Sequence, residues 1–440
     1  MANSRAVALS VLGEVREGAY LNLVLKKRLG GLDEQDRRFA SALCYTTLEN
    51  IGRIDYIIDE YAKSKRIHKI IRDILRLGVC QLVFFESVPV SAAVNESVNL
   101  AKAHKPQLKG FVNGVLRAVS KDLGAVKYPD REKNNAEYLS IMYSYPLWLT
   151  KMLISDYGAD FAEELCAYRK SSAETCVRPN LLKLDSKSFE NKLEGMGLNA
   201  KKGEYSDFAY YVKNISDIQS LSLYKKGQMT VQGESSMLCV QAADIKQGMS
   251  VIDVCAAPGG KTALAAQYGP SAQVAMELHE HRIDIMRENL ARMGVEAETV
   301  CADARKLKPE YSRKFDRVLI DAPCSALGLC YRKPDIKYSK QPKDLDELLP
   351  IQAEILDSCC EYVKPGGTLV YSTCTINKRE NDRQIDAFLR KHPDFCENPL
   401  ADVLSDKLLY RIRGGRLQLF PHIDGIDGFF IASLKRKDIE

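Results

Sequence analysis

Two cysteines come directly after two consecutive predicted strands. Cys324 follows the apolar run RVLIDAP, in DAPCS, and Cys374 closes the run GTLVYSTC. If the two strands are parallel neighbours, their carboxyl ends lie at one edge of a sheet, and both thiols face the same crevice. A thiolate is the nucleophilic form of cysteine, so this placement favours two chemically active thiols.

Cysteine has two other common roles, core packing and zinc binding. A lone cysteine is most often a small core residue. We apply that interpretation to Cys44, Cys80, Cys166, Cys239, Cys359 and Cys360. Zinc binding is the second role, but no histidine accompanies the Cys324–Cys374 pair and its spacing matches no zinc signature. His279 and His281, in ELHEHR, lack HExxH spacing and are expected on the surface.

The first strand of the same region ends in a glycine-rich turn, DVCAAPGGKT. Gly259 and Gly260 allow a tight turn and the close approach of a ligand to the backbone. A nucleotide-hydrolysing phosphate loop needs its first glycine at position 255, where this chain has Cys255, and Pro258 removes a backbone N–H. The turn is therefore predicted to bind a ligand without hydrolysing a nucleotide.

Acidic residues close the next two predicted strands. Glu277 stands 18 residues after Gly259, an offset at which an acid commonly accepts hydrogen bonds from ribose hydroxyls. Asp303 follows the third strand, where an acid can hold an adenine amino group. Gly-Gly, Glu and Asp at three successive strand ends together favour a nucleoside-binding cleft.

These residues need an α/β scaffold. From Gly248 onward, the runs SVIDVC, QVAMEL, AETVCAD, RVLIDAP, GTLVYSTC and FFIASL predict strands. Helical patterns lie between them at residues 262–267, 280–293, 345–363 and 378–390. Alternating strands and helices predict an open, mostly parallel sheet with ligands at the carboxyl ends of its strands.

The sequence pattern of the N-terminal part predicts helices only. Apolar residues recur at helical spacing, as in Ile54, Ile57 and Ile58, which predicts a compact all-α domain over residues 1–125. Residues 121–145 are predicted to be a connector. Residues 140–235 mix short strands, at 176–184 and 208–213, with helices and predict a small α+β domain that supports the fold or contacts RNA. Residues 236–440 form the third predicted domain.

Charge separates the N-terminal part from the rest. Residues 1–130 carry 20 Lys and Arg against 14 Asp and Glu, whereas the whole 440-residue chain has a net charge of only +5. Such an excess favours a polyanion partner. Eight basic residues crowd the second and third helical stripes: Arg37, Arg38, Lys63, Lys65, Arg66, Lys69, Arg72 and Arg76. An RNA-binding module and a purely structural appendage both remain open.

Composition excludes several classes of protein. Apolar residues make up 45% and charged residues 28%, as in ordinary globular proteins. No apolar run is long enough to span a bilayer, and the first residues lack a secretion signal. Thirteen cysteines without a C-x-x-C pair indicate reduced thiols. We therefore expect a cytoplasmic enzyme.

At these motifs the chain resembles the RNA cytosine-C5 methyltransferases. DVCAAPGGKT, DAPCS and STCT occur in the family's order, and YRKPDIKY and DGFFIASLKR are also similar to family segments. FASALCYTTLEN and GFVNGVLR resemble the NusB-like antitermination fold. The combination is similar to the bacterial small-subunit ribosomal RNA methyltransferases of the RsmB/Sun family, over essentially the whole chain.

The resemblance implies an all-α NusB-like N-terminal domain, a small α+β middle domain and a C-terminal Rossmann-like class I methyltransferase domain. It implies S-adenosyl-L-methionine as methyl donor and small-subunit ribosomal RNA as substrate, with no metal and no membrane. We expect a monomer. The donor site implied by the resemblance comprises Cys255, Ala256, Ala257, Pro258, Gly259, Gly260, Lys261, Glu277, Asp303 and Asp321.

The resemblance also implies catalytic roles. Attack of a thiolate at C6 makes the poorly nucleophilic C5 of cytosine reactive, and the family assigns that attack to Cys374. Cys324 would assist release, Asp321 would face the pyrimidine N3/N4 edge, and Lys261 would position groups nearby. The same chemistry on transfer RNA or 23S ribosomal RNA remains an alternative, as does a non-enzymatic antitermination factor.

Three positions depart from the family pattern. Gly233 replaces an aspartate after Gln232, Glu277 replaces the usual aspartate, and Pro179 stands inside the Arg-x-Asn motif RPN. Glu277 has the same acceptor chemistry on a side chain one methylene longer. The first departure puts in doubt any contact made by that aspartate.

Overall fold

The computed structural model describes residues 3–64, 66–169, 174–213, 215 and 217–438. The chain forms two compact units. The first comprises Met1–Ala167 together with Arg332–Lys340, and the second comprises Tyr168–Tyr331 together with Gln341–Glu440. We call them the helical unit and the sheet unit.

Regular elements are numbered along the chain. The helices are α1 (Ser4–Arg16), α2 (Leu21–Arg28), α3 (Glu34–Glu49), α4 (Ile51–Ala62), α5 (Lys69–Phe84), α6 (Val90–His104), α7 (Lys109–Asp122), α8 (Asn135–Met142), α9 (Leu147–Tyr157), α10 (Ala159–Ala167), α11 (Ser186–Gly195), α12 (Ser222–Lys225), α13 (Glu234–Gln241), α14 (Gly260–Ala265), α15 (Glu280–Met293), α16 (Asp335–Ser339), α17 (Pro342–Cys359), α18 (Asp382–Lys391) and α19 (Pro421–Asp424). The strands are β1 (Glu174–Pro179), β2 (Ala200–Lys202), β3 (Tyr210–Lys213), β4 (Met229–Val231), β5 (Ser250–Val254), β6 (Ala272–Glu277), β7 (Glu298–Cys301), β8 (Phe315–Asp321), β9 (Val363–Thr373), β10 (Phe395–Glu397), β11 (Ile412–Arg413), β12 (Arg416–Leu419) and β13 (Phe429–Arg436).

The helical unit has the predicted all-α architecture. Ile54, Ile57 and Ile58 on α4 are fully buried against Ile71 and Ile74 on α5 in one apolar core. The predicted connector is partly wrong, because α7 extends to Asp122 and residues 135–142 form α8. The polar residues of this segment did not show helical spacing of apolar residues, since Leu139 is the single fully buried apolar residue of α8.

Three residues of the basic cluster of the helical unit are paired with acids. Arg72 contacts Asp55 and Asp59, and Arg76 contacts Asp55 and Asp73. Arg38 pairs with Glu34, and Arg37 donates to the Leu32 carbonyl. Lys63, Arg66 and Lys69 are exposed, while Lys65 lies outside the described residues. The surface open to a polyanion is therefore smaller than the sequence suggests.

A segment from the C-terminal half of the chain completes the helical unit. Lys337, on α16, is buried and donates to the Glu49 carbonyl at the end of α3 (3.1 Å). Its ammonium lies 4.5 Å from the centre of the Tyr145 ring. Tyr338 donates to the Ser144 carbonyl. These contacts explain why Arg332–Lys340 belongs to this unit.

The N-terminal part of the sheet unit is a small antiparallel sheet of order β2-β3-β1-β4. The strand predicted at 176–184 is wrong beyond Pro179. Asn180 begins a turn there, since its carbonyl accepts from the N–H groups of Lys183 and Leu184. The Asn180 amide also donates to the carbonyls of Gly227 (2.8 Å) and Met293 (2.7 Å) and ties this turn to the end of α15.

The larger sheet is the predicted α/β scaffold. Within the described residues it runs β11-β12-β13-β9-β8-β5-β6-β7, with β10 added beside β13. The strands from β9 to β7 are parallel, and β13 pairs antiparallel with β9. Helix α15 has the predicted bounds, whereas the helix predicted at 378–390 begins only at Asp382. Among the described residues, no helix is both long and apolar enough to cross a membrane.

Candidate active site

The two predicted thiols meet. Strands β8 and β9 are parallel neighbours, with Asp321 opposite Ser372, so the DAPCS and STCT turns leave the sheet side by side. Cys324 Sγ lies 3.3 Å from Cys374 Sγ, and both side chains are half-buried. Two sulfur atoms this close can reach one small reacting group.

Glycine backbones hold the STCT turn in place. The Gly328 N–H donates to the Cys374 carbonyl (3.1 Å), and the Gly428 N–H donates to the Gly328 carbonyl (3.0 Å). A Cβ on Gly328 would lie 2.0 Å from the Gly428 carbonyl oxygen, so no side chain fits there. The segments LGL and DGFF therefore fix the position of Cys374 through backbone contact.

Cys324 is held in its protonated form. Its hydrogen bond with Cys374, its burial and the nearby charges of Cys374 and Glu380 together raise the pKa of the Cys324 thiol well above its usual value. A neutral thiol can donate a proton and is a weak nucleophile. The local environment thus makes Cys324 better suited to proton transfer than to attack.

Asp321 and Lys261 form an ion pair beside the thiols. Lys261 Nζ donates to Asp321 Oδ2 (2.6 Å), and the Ser372 hydroxyl donates to Asp321 Oδ1 (3.0 Å). Burial lowers the pKa of Lys261, but the charges of Asp321, Cys239 and Asp253 and the hydrogen bond to Asp321 together outweigh burial and raise the net pKa. Lys261 therefore stays protonated, and it orients the Asp321 carboxylate at the end of β8.

The glycine-rich turn has one strict conformational requirement. Gly259 has φ +92°, and a Cβ there would lie 3.0 Å from Met286 Cγ. Gly260 begins α14 without a positive φ, and a Cβ there would meet only Gln232 at 3.8 Å. The unusual backbone conformation of the turn therefore lies at Gly259, and the close approach of a ligand at Gly260 stays a prediction.

The other residues of this turn follow β5 directly. Cys255 has a positive φ of 62°, and the Ala256 N–H donates to the Met276 carbonyl on β6 (2.9 Å). Ala257 accepts a hydrogen bond from Arg282 at its carbonyl (3.1 Å), and the Pro258 carbonyl accepts from Asn289 (3.1 Å). Both carbonyls are therefore tied to α15, and the turn is fixed against that helix.

Glu277 has a buried carboxylate oxygen without a partner. Its Oε1 accepts from the N–H of Leu278 (3.0 Å) and from Arg282 Nη1 (3.2 Å). Its Oε2 is buried and has no hydrogen-bond partner. An unsatisfied buried acceptor is costly unless a bound group donates to it. This geometry fits a ligand hydroxyl at the end of β6.

Asp303 lies two residues beyond β7 and is occupied by a neighbour. Arg305 reaches both oxygens of its carboxylate, at 2.9 Å from Nε and 2.7 Å from Nη2. The hydrogen bond from Arg305 lowers the pKa of Asp303, so the carboxylate stays ionised. An adenine amino group at this position would have to share the carboxylate with Arg305.

Sequence reasoning missed two buried acids. Asp253, inside β5, accepts from the Thr262 hydroxyl (2.6 Å), while its Oδ1 is buried without a partner. Burial raises the pKa of Asp253 to about 6, against the opposing effect of the Thr262 hydrogen bond. Glu380, just before α18, is also fully buried. The available signal was a charged residue inside an apolar strand, and a polar run directly after STCT.

The structure shows the surroundings of two of the departures from the family pattern, the RPN segment and Gly233. Arg178, in RPN, is fully buried; it donates to Gln232 Oε1 (2.8 Å) and, at 3.4 Å, to the Gly260 carbonyl. A Cβ on Gly233 would lie 3.0 Å from Asp427 Oδ2. An aspartate at 233 would bring a second negative charge towards Asp427. Nothing in the structure explains Pro179.

Metal ligands do not cluster in the part of the chain that the structure describes. It contains no group of three or more His, Cys, Asp or Glu side chains arranged to hold an ion. The histidines of ELHEHR, His279 and His281, are exposed on α15 and just before it.

Comparison with known proteins decides the family. The chain is 37% identical, over 98% of its length and 98% of that protein, to a Bacillus subtilis (strain 168) protein named "Probable ribosomal RNA small subunit methyltransferase B". The family model described as 16S rRNA methyltransferase RsmB/F matches residues 240–435. The chain belongs to the RsmB/F methyltransferase family. The NusB family matches residues 2–121, and a ferredoxin-like domain of RsmF/B-like methyltransferases matches residues 145–219.

Solved structures agree with the RsmB/F fold. The crystal structure of PH0851 covers 98% of this chain and 97% of its own, with a TM-score of 0.80 and 25% identity. NSun6 from Pyrococcus horikoshii, solved with SFG, covers 66% of this chain and 97% of its own, with a TM-score of 0.57 and 21% identity. The predicted three-part fold class and the family resemblance are confirmed.

Proposed function

We propose that this RsmB/F methyltransferase transfers a methyl group from S-adenosylmethionine to C5 of a specific cytosine in 16S ribosomal RNA, through a covalent bond between cysteine and C6. The observation that carries the proposal is the 3.3 Å approach of two thiols on neighbouring strand ends. The ion pair of Lys261 and Asp321 beside them supplies a carboxylate for the polar edge of a pyrimidine.

The other end of the crevice fits the methyl donor. Glu277 Oε2 is positioned to accept from a ribose hydroxyl, and the Gly259 turn brings backbone close to a ligand. Asp303 and the turn residues 255–258 complete the proposed pocket. When bound, S-adenosylmethionine supplies an electrophilic methyl group. The chain's own residues bind it, orient it and keep water away.

Addition is assigned to Cys374. Its thiolate forms the Sγ–C6 bond, which moves the ring's electron pair toward C5 and makes that carbon nucleophilic. Asp321 is assigned to the N3/N4 edge of the base, where its carboxylate would accept a hydrogen bond and stabilise charge as the adduct forms. The carbonyl of Cys374 is fixed by Gly328, so the thiol starts from a defined position.

Release is assigned to Cys324. After C5 has gained the methyl group, its hydrogen must leave as a proton, and the electron pair of that C–H bond re-forms the C5–C6 double bond as the C6–S bond breaks. The departing sulfur of Cys374 then needs a proton. Cys324 retains its own proton and lies 3.3 Å from Cys374 Sγ, so it can pass that proton to the departing sulfur, and the Cys324 thiolate left behind takes the proton released from C5.

Ribosomal RNA is the proposed substrate because the B. subtilis relative named above is matched over 98% of both chains. The target base must leave its stack, which costs a few kcal/mol. Exposed basic residues of the helical unit can offset this cost through contacts with the RNA backbone. The same chemistry on transfer RNA or 23S ribosomal RNA is the alternative, and bisulfite sequencing of total RNA from a deletion strain distinguishes them.

Single cysteine variants test the mechanism. Cys374→Ala should form no covalent RNA adduct and transfer no methyl group, while still binding donor and RNA. Cys324→Ala should still add and methylate but stall, leaving a protein–RNA band on denaturing gels that disappears in the double variant. Reversed phenotypes would exchange the two roles. Full turnover by both single variants would eliminate the covalent mechanism.

A further inference from the structure

Glu380 is a buried carboxylate that lies six residues after Cys374. Its Oε1 accepts from the Ser325 hydroxyl (2.5 Å) and from the Asn377 amide (3.0 Å). Its Oε2 accepts from the Ser325 N–H (2.8 Å) and from the Gln352 amide (3.0 Å). The side chain is fully buried, so each of these bonds replaces a bond to water.

The partners of Glu380 belong to the turns that carry the two thiols. Ser325 directly follows Cys324, and its hydroxyl lies 2.7 Å from the hydroxyl of Thr375, which directly follows Cys374. Thr375 also approaches Glu380 Oε1 at 3.4 Å.

Gln352 adds a second attachment on the Cys324 side. Besides bonding to Glu380, its amide donates to the Pro323 carbonyl (2.9 Å), on the other side of Cys324. Residues 323 and 325 are thus both connected to Glu380, and Cys324 lies between them.

All of these donors are neutral groups. A buried carboxylate is tolerated only when hydrogen bonds satisfy its oxygens, and several short bonds to one anion hold their donors in fixed positions. The network therefore restricts the motion of both turns and keeps the two sulfur atoms at a defined distance. A buried anion that only filled space could be replaced by an apolar residue without loss.

We propose that Glu380 is a positioning residue for methyl transfer: it ties the Cys324 turn to the Cys374 turn and so sets the separation of the two sulfur atoms. The proposal rests on the proposed function, because it assumes that both thiols take part in one reaction, Cys374 in the addition at C6 and Cys324 in release. The charge of Glu380 also contributes to the raised pKa of Cys324, behind the Cys374 hydrogen bond and burial.

The test is Glu380→Gln in the full-length protein. Glutamine keeps the size but replaces one acceptor oxygen with an NH2 group. Either Ser325 Oγ and Asn377, or the Ser325 N–H and Gln352, then lose their acceptor. Single-turnover assays with target RNA and labelled S-adenosylmethionine separate adduct formation, methyl transfer and release. We expect donor Kd within twofold of the native value, turnover at least tenfold lower, and accumulation of the covalent adduct. The adduct should accumulate because Ser325, which directly follows Cys324, loses a hydrogen bond to residue 380 in either orientation of the glutamine amide.

Glu234→Gln is the matched control. Glu234 is equally buried in the same unit and accepts from the N–H groups of Tyr205 (2.6 Å) and Ser206 (2.9 Å) and from the Tyr211 hydroxyl (2.9 Å). It should lower Tm as Glu380→Gln does, yet turn over within twofold of the native rate below Tm. Should Glu380→Gln fail to fold, Ser325→Ala removes the hydroxyl alone and should slow release about threefold.

Four results would overturn the proposal. One is turnover of Glu380→Gln within twofold of the native rate. Another is a parallel fall of donor affinity and turnover, which indicates a general folding role. The third result requires Cys324→Ala, assayed in parallel, as a comparison. An adduct in Cys324→Ala but not in Glu380→Gln rejects the positioning role alone. An adduct in neither variant rejects the covalent mechanism and the positioning role together.

Discussion

The two ends of the catalytic crevice differ in how their buried acids are bonded. At the thiol end, defined by Cys324, Cys374 and Glu380, both oxygens of the buried carboxylate accept hydrogen bonds from the chain itself. At the donor end, defined by the Gly259 turn, Glu277 and Asp253, each acid keeps one buried oxygen without a partner. At the thiol end the chain itself satisfies the buried carboxylate, whereas at the donor end the unpartnered Glu277 oxygen is the acceptor that we propose for a ligand hydroxyl.

Loss of the ion pair between the two ends should have the largest effect. Lys261→Met leaves the Asp321 carboxylate bonded to Ser372 alone, so the carboxylate loses the ammonium group that orients it. We expect methyl transfer to fall about 100-fold in single-turnover assays. Lys364→Met, which removes a similar ion pair with Asp316 near the opposite end of β8, is the control and should leave the rate unchanged. A native rate in Lys261→Met would show that Asp321 needs no counterion.

Removing the unpaired acceptor at the donor end should weaken donor binding. Glu277→Ala should raise the Kd for S-adenosylmethionine, measured by calorimetry, by an amount that corresponds to about 1–3 kcal/mol, because a charged acceptor is lost. Glu280→Ala, an exposed acid three residues away that pairs with Arg287, should leave Kd unchanged. Equal affinities for the native protein and Glu277→Ala would reject the ribose assignment.

Asp253 makes the donor end sensitive to pH. Its folded pKa of about 6 lies above the ordinary value of 3.8, so the folded state binds the proton more tightly than the unfolded state does. Stability should therefore decrease as pH rises between these two values and then level off. From about pH 4.5 to about pH 7, the native protein should lose about 2 kcal/mol relative to Asp253→Asn in urea unfolding. Parallel pH profiles would contradict the burial of an ionised Asp253.

The smallest effect is expected far from the crevice. Changing Lys63, Arg66 and Lys69 to Ala should weaken RNA binding roughly threefold and flatten its salt dependence by about 0.7 per lost phosphate contact. Arg38→Ala removes an exposed charge already paired with Glu34 and should leave the slope unchanged. An unaltered slope in the triple variant would favour the purely structural interpretation of this surface.

The sequence was informative where one element decides the outcome. The order of strand and helix patterns placed Cys324 and Cys374 on neighbouring parallel strands, and the offset of Glu277 placed an acid at the end of β6. Sequence reasoning failed where distant residues meet. The pairing of Arg72 and Arg76 with Asp55, the bonds of Glu380 to Ser325 and Gln352, and the turn at Asn180 all depend on tertiary contacts that no local pattern encodes.

The helical unit is built from two separate stretches of chain, and this affects how it is made. Arg332–Lys340 packs among helices synthesised before residue 168, but it is translated after four of the five parallel strands. Domains generally fold in the order in which they leave the ribosome. The contact between Lys337 and the Tyr145 ring can form only after four of the five parallel strands have been synthesised. Completion of the N-terminal unit thus reports that synthesis has passed the Cys324 turn.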